Sequence, residues 1–375
     1  MAGIYIHVPF CKQKCNYCNF HFSTKQDNVE ELVSGMIIEL DQRKSYLKTK
    51  KIDSIYFGGG TPSIIDVKHI INIIEKIYSL FDVKKTAEIT MEFNPDDIKK
   101  EKLNKLRQAG INRLSIGIQS FNNEDLIFMN RSHNAKEAIS SIKLAKECGF
   151  NNMSIDLIYG VQNQTDKTWK KNLNQMFELE IDHFSAYALT VEPDTKLNYL
   201  IKKKRVQPTS ELKAENHFKI LQEESLKMGY EQYEISNFCR KNKFAQHNTS
   251  YWKDKAYLGI GPSAHSYNGK SRRWNISNNL KYITLINNSE KYFDEEKLSP
   301  TQKYNEYTLT SLRTIWGVSL DYLENNFDQH IVSHFKKNAR KWIDNKNIIL
   351  EKNNVKLTNK GMLFADAISS DLFII

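Results

Sequence analysis

Three of the five cysteines, Cys11, Cys15 and Cys18, fall within eight residues of one another. An odd cysteine total does not build a disulfide framework, so thiols packed this closely read first as metal ligands. Two groups suit the C-x3-C-x2-C spacing. Structural zinc takes four protein ligands, and His21, C-x2-H after Cys18, completes a Cys3His set. A cubane iron–sulfur cluster held by three thiolates instead leaves one iron open to a small molecule. Spacing alone keeps both open. Cys148 reads as a buried helix residue before Gly149, and Cys239 as a loop thiol without ligand spacing to its neighbours.

The elements that position these thiols follow a regular pattern. A short β-type run, Ile4 to Phe10, precedes the cysteines and is closed by Pro9. Further strands are expected near 54–57, 87–93, 112–118, 151–158 and 183–190, and helices near 28–49, 66–80, 99–109, 135–148 and 166–179. Each strand is followed by a helix through a short connection, which is the signature of parallel βα units. The pattern predicts an α/β fold, a partial (β/α)6 barrel, with a doubly wound sheet as the alternative. In either fold, sites gather at the C-terminal ends of strands. The cysteines, the turn Gly58-Gly59-Gly60-Thr61-Pro62, Glu92, Gln119 and Asp156 all fall at or just beyond such ends.

A further helix is expected near 210–228, preceded by a solvated basic stretch, Lys202 to Arg205, and Pro208. The region 230–275 is aromatic and polar. The tail, from about 300, carries helical patterns around a small wing at Ile348–Leu357, a winged-helix-like α+β arrangement. Three segments follow: a core over 1–230 with the cysteine loop, a connecting region over 231–295, and an accessory domain over 296–375.

Composition sets outer bounds. The chain has 375 residues, 40% hydrophobic and 26% charged, which fits a folded protein and not a disordered one. No apolar stretch reaches the ~18 residues of a spanning helix, and no basic-then-apolar leader opens the chain. The expected location is the cytoplasm, with peripheral contact at the inner membrane face. The net charge of +10 suits an anionic partner but equally reflects a Lys-, Asn- and Ile-rich composition.

Four motifs in order, Tyr5-Ile6-His7-Val8-Pro9-Phe10-Cys11 with Cys15 and Cys18, Gly58-Gly59-Gly60-Thr61-Pro62, Gly117-Ile118-Gln119-Ser120-Phe121 and Ile155-Asp156-Leu157-Ile158-Tyr159-Gly160, resemble the radical S-adenosylmethionine superfamily. Within it the chain resembles the branch that holds the oxygen-independent coproporphyrinogen III oxidases and the HemW-type heme chaperones, over essentially its whole length. The resemblance implies a [4Fe-4S] cluster on Cys11, Cys15 and Cys18, with S-adenosylmethionine chelating the open iron and an electron from the cluster able to cleave its sulfonium. It implies cofactor contacts from Tyr5, Gly59 and Glu92, from Gln119, Arg131 and Asp156, and from Gly60 and Thr61, which match positions the oxidases use for a second S-adenosylmethionine.

Three features favour the chaperone side of that branch. The oxidases resemble C-x3-C-x2-C-x-C, and here the fourth position is Phe20. They also carry some fifty residues before the cluster, and Cys11 leaves no room for these. His247-Asn248-Thr249-Ser250-Tyr251-Trp252 matches the H-N-x-x-Y-W motif of HemW-type proteins. A neutral imidazole suits heme iron, so heme is expected at His247, with Tyr251 and Trp252 against the macrocycle, Arg272 and Arg273 at its propionates, and His265 as a second candidate ligand. The implied partners are heme and heme-accepting proteins, respiratory complexes at the membrane among them, with a cluster-bearing homodimer. Radical cleavage is allowed but not required by that role. The alternative function is coproporphyrinogen III oxidase. An RNA-modifying role is not expected, because methylthiotransferase types need a second three-cysteine cluster. Two departures stand out: Gln162 where the family usually has Pro, and Asn19 where it more often has Asp.

Overall fold

Alternation along the strands decides which way each residue faces. A computed structural model describes residues 2–375. In it β1 (Ala2–Val8), β2 (Lys51–Gly59), β3 (Asp82–Phe93), β4 (Arg113–Gln119), β5 (Met153–Tyr159) and β6 (His183–Ala188) pair in parallel, each with the next. Ile4, Ile6 and Val8, Ile55 and Phe57, Leu114, Ile116 and Ile118 lie on the outer face and are almost fully buried. Against them pack α1 (Val29–Gln42), α2 (Val67–Leu80), α3 (Lys100–Gln108), α5 (Ala135–Glu147) and α6 (Asp166–Glu178), with the short α4 (Asn123–Phe128) set between β4 and α5. In α2, Ile70, Ile73, Ile74 and Ile77 recur at helical spacing and are all buried, each burial stabilising by about 2 kcal/mol. The Asp66 carboxylate accepts from the Lys68 N–H and starts that helix.

The inner positions of the same strands are different. Tyr5, Tyr56, Glu92, Arg113, Ser115 and Asp156 face the lumen. A closed (β/α)8 barrel fills this space with layers of aliphatic side chains. Here the inner face is polar, and it surrounds a cavity of about 460 Å³.

Beyond β6 come α7 (Lys196–Lys202), α8 (Glu211–Lys227), the hairpin β7 (Glu231–Glu234) and β8 (Asn237–Cys239), and α9 (Gln246–Trp252). The chain then crosses to the other edge. There β9 (Tyr257–Ile260) pairs in parallel with β1, and β10 (His265–Tyr267), β11 (Ser271–Asn275), α10 (Asn279–Asn287) and β12 (Phe293–Lys297) extend it as an antiparallel ribbon. The sheet thus has twelve strands, in the order β12-β11-β10-β9-β1-β2-β3-β4-β5-β6-β8-β7. The buried Glu39 of α1 ties this ribbon down. It accepts from Arg43, the Gly261 N–H, Asn275 and Tyr282 at 2.6–2.8 Å. Removing one member strands the others in the core.

The remaining chain forms α11 (Pro300–Leu312), β13 (Val318–Ser319), α12 (Leu320–Asn326), α13 (Gln329–Asp344), the hairpin β14 (Ile348–Glu351) and β15 (Asn354–Leu357), α14 (Asn359–Met362) and α15 (Ala365–Leu372) around their own apolar cluster. The wing lies where the sequence places it. Two details differ. α1 ends at Gln42, with Arg43 as its C-cap, and does not run on to Thr49. Cys239 sits in β8, fully buried, and not in a loop. Among the described residues no helix is long and apolar enough to cross a membrane.

Candidate functional site

The cysteine loop follows β1 at the C-terminal end of the barrel strands, and the chain on either side holds it. The Cys11 N–H donates to the Ser23 carbonyl at 3.0 Å, closing the loop at its neck. Asn16 donates from its backbone to the Met129 carbonyl and from its side chain to that of Phe128, while its own carbonyl accepts from the Leu197 N–H at 2.7 Å. The two short helices α4 and α7, which no sequence pattern signals, therefore grip the loop.

The three thiols are half-buried. Burial pushes the Cys11 thiol up to about 11 and raises that of Cys18. Among the described residues, no three Cys, His, Asp or Glu side chains converge on a point that one metal ion could occupy. His21 is directed elsewhere, with Nε2 2.8 Å from Asn279 Oδ1. A cubane offers each thiolate its own iron, so it fits three sulfurs spread along one loop.

The glycine-rich turn seats this loop. A Cβ on Gly60 would lie 2.5 Å from the Phe10 carbonyl oxygen, and Gly59, at φ +107°, packs on the His7 ring. The approach is used: the Gly60 N–H donates to the Val8 carbonyl and the Thr61 N–H to that of Phe10. The Thr61 hydroxyl reaches Cys11 Sγ at 3.5 Å. Arg131 reaches Cys15 from the other side. Its Nη1 donates to Sγ at 3.3 Å, while Nη2 holds Asn94 Oδ1 and the Gly117 carbonyl. Gln119 ends β4 at φ +66°, and its amide lies against Gly117 beside Arg131. A second cavity, of about 770 Å³, lies beside Cys18, Phe20, Lys14 and Lys25.

Below the loop, Glu92 and Asp156 face the lumen. Glu92 accepts from the Tyr56 hydroxyl at 2.7 Å. Burial pushes its carboxyl up to about 7, the charge of Asp156 adding to the effect. Burial likewise raises Asp156 to about 6, against the opposing pull of Ser185, Arg113 and Arg131. Both groups therefore sit near the point of ionisation at neutral pH. Tyr5 stacks on Tyr56 and meets His7 Nδ1 through its hydroxyl at 3.2 Å.

The H-N-x-x-Y-W motif is the helix α9, placed at the opposite, N-terminal end of the strands. Glu88 caps it, accepting from the Gln246 and His247 N–H groups at 3.0 and 2.9 Å. His247 and Tyr251, four residues apart, share the inward face. His247 is buried, with Nδ1 2.8 Å from the Ser54 hydroxyl and Nε2 2.7 Å from that of Tyr251. Burial lowers its pKa to about 3, so the ring is neutral. Both nitrogens have partners, and axial ligation requires the Tyr251 bond to open. Trp252 also lines the lumen, beside Arg313. Arg272 and Arg273, on β11 of the edge ribbon, are paired with Glu306 of α11 and Glu295 of β12. His265 is exposed and packs on Trp274.

The loop after β5 is held without a proline. Val161 is buried, the Gln162 carbonyl accepts from Lys213, and the buried Gln164 bridges the Gly160 N–H and Asp125 Oδ2 at 3.1 and 2.9 Å. The residue that the sequence did not single out is Arg113. Its signal is the alternation Arg113-Leu114-Ser115-Ile116-Gly117, polar on one face only.

Comparison with known proteins agrees with this architecture. The family model for the Radical SAM superfamily matches residues 5–176. The chain is 31% identical over 374 residues to the heme chaperone HemW of Bacillus subtilis, covering 98% of each. It is 36% identical over 272 residues to that of Haemophilus influenzae, covering 70% of this chain and 69% of the relative. Its fold matches that of the coproporphyrinogen III oxidase HemN from Escherichia coli with a TM-score of 0.85, at 20% identity, over 99% of this chain and 90% of that one. The architecture and the full-length similarity agree: the chain belongs to the HemW family of the radical SAM superfamily.

Proposed function

We propose that this protein is a heme chaperone, which binds heme and passes it to acceptor proteins. The observation that carries this reading is the placement of His247, Tyr251 and Trp252 along one short helix on the wall of a polar lumen, in a chain of the HemW family. His247 supplies a neutral imidazole, and Tyr251 and Trp252 supply flat apolar faces beside it.

Cys11, Cys15 and Cys18 would hold a [4Fe-4S] cluster in this reading, and Tyr5, Gly59, Glu92, Gln119 and Asp156 would hold S-adenosylmethionine. When bound, the cluster and S-adenosylmethionine supply one-electron chemistry. Arg131 and Thr61 orient thiols, Glu92 and Asp156 offer carboxyls to ribose hydroxyls or to a cationic sulfonium, and the Gly59–Thr61 turn fixes the loop. The role proposed for them is structural or regulatory. The oxidase alternative is disfavoured by Phe20, which stands exposed where those enzymes carry a fourth cysteine. Cytoplasmic location, delivery to membrane-bound acceptors and a cluster-bearing homodimer belong to the same proposal.

The test is an anaerobic heme titration by absorbance on the cluster-reconstituted protein and on His247→Ala. A Soret band that saturates near one heme per chain, and that weakens or shifts in the variant, is expected. Absence of saturable binding overturns the reading, and coproporphyrinogen turnover with S-adenosylmethionine becomes the next assay.

A further inference from the structure

Two arginines of the barrel, Arg43 and Arg113, are deeply buried and a third, Arg131, is half-buried, and they are not alike. Arg43 gives Nη1 to Glu39 Oε1 and the Gly259 carbonyl and Nη2 to the Ser266 hydroxyl, all at 2.8–2.9 Å. Arg131 spends its two terminal nitrogens on Cys15, Asn94 and the Gly117 carbonyl. Arg113 makes no hydrogen bond to any of the described residues. Its side chain is 2% exposed, and the nearest carboxylate oxygen, Glu88 Oε2, is 3.8 Å from Nε. That carboxylate is already committed to the α9 backbone.

A guanidinium offers five N–H donors and does not lose its charge in a protein. Buried donors without acceptors are costly. Nε of Arg43 and of Arg131 is also left without a partner. Both of those arginines commit their terminal nitrogens to protein acceptors, whereas Arg113 opens on a cavity. Arg113 lines the 460 Å³ cavity together with Tyr56, Asp156 and His247, and its charge is felt by both Asp156 and His247. The cavity is the size of a small-molecule site. A planar fork facing such a space matches a carboxylate, which takes two parallel N–H bonds.

We propose that Arg113 is a carboxylate anchor: the lumen takes the carboxylate of an organic acid, held in two-pronged fashion by its guanidinium beside the His247–Tyr251 pair. Tyr5, Glu92 and Asp156, given above to S-adenosylmethionine, line the same cavity, and Arg113 lies at its end away from the cysteine loop. Arg113 opens β4 and Gln119 closes it at the cysteine end, a strand length of about 20 Å. The carboxylate can belong to a free small acid or to a heme propionate. In the second case the anchor deepens the chaperone reading; in the first it is a further binding function of the same chamber.

The experiment has two arms on the cluster-loaded full chain, each run on wild type, Arg113→Gln and Arg113→Lys. One measures binding of succinate against succinamide by calorimetry, with sodium chloride matched. The other measures binding of heme against heme dimethyl ester by absorbance. At least one acid is expected to bind about tenfold or more tightly than its neutral counterpart, with that preference lost in Arg113→Gln and reduced in Arg113→Lys, which keeps the charge without the fork. Preference in the succinate arm identifies a free acid, and preference in the heme arm a propionate. If the variants fail to fold, protection of Arg113 by the preferred acid against phenylglyoxal in wild type, mapped by peptide mass, takes their place. The anchor is overturned if neither acid is preferred, if the preference survives in Arg113→Gln, or if Arg113 is not protected. Heme binding without an acid preference removes the anchor and leaves the chaperone reading. An Arg113-dependent preference for succinate without saturable heme binding does the reverse.

Discussion

His247 and Tyr251 hold each other. Nε2 lies 2.7 Å from the phenol oxygen, and the rings meet edge to face at 5.1 Å. The bond fixes the ring and also occupies the nitrogen that a heme iron would take. Tyr251→Phe keeps the ring packing and frees that nitrogen. Heme affinity is expected to rise about fivefold, the worth of one hydrogen bond, with a shifted Soret band. The titration series of wild type, Tyr251→Phe and His247→Ala checks this, and an unchanged Tyr251→Phe removes His247 as the ligand.

Gly60→Ala places a methyl group 2.5 Å from the Phe10 carbonyl. The neighbour is backbone and cannot rotate away, so the cysteine loop has to shift. Destabilisation of about 1–3 kcal/mol is expected, together with lower iron and sulfide content after reconstitution. Thermal melting and metal analysis on the same preparation measure both.

Arg131→Gln removes a cation bonded to Cys15 Sγ. Positive charge beside a cluster favours the reduced form, so its loss shifts the midpoint potential to more negative values. Arg131→Lys is expected to fall between the two. A redox titration followed by electron paramagnetic resonance reads this without any turnover assay, and an unmoved potential sinks the assignment.

Glu92 titrates at about 7 in the fold, against an ordinary 4.5. Its folded value is raised, so its contribution to stability is fully present below pH 4.5 and is lost as pH rises through 7. Glu92→Gln removes that dependence. The variant is expected to gain on wild type by up to about 3 kcal/mol between pH 5 and pH 8. Chemical denaturation of the cofactor-free protein across that range checks the sign, and a constant difference contradicts it.

The βα alternation, the cysteine loop and the wing are legible in the sequence, because periodicity of 2 or 3.6 and short turns are local properties. The grip on the loop is not. It comes from α4 and α7, which are 6 and 7 residues long, too short for a periodic signal to show. The burial of His247 is also invisible, because it depends on Ser54 and Tyr56 arriving from β2. Arg113 carries a readable alternation, but whether a polar face meets water or a lumen is decided only by closure of the sheet. The same closure carries β8 and Cys239 into the core.

One consequence of the sheet order concerns time. The strand that leads into the cysteines lies between β2 and β9, and its partner in β9 is made some 250 residues later. A nascent chain emerging from the ribosome therefore presents the strand before its thiols with one raw edge, open to false pairing. Glu39 waits equally long for Gly261, Asn275 and Tyr282. A chain cut short before residue 257 would keep the contacts that α4, Arg131 and α7 make with the cysteine loop, but would leave β1 with an unpaired edge and Glu39 without Gly261, Asn275 and Tyr282.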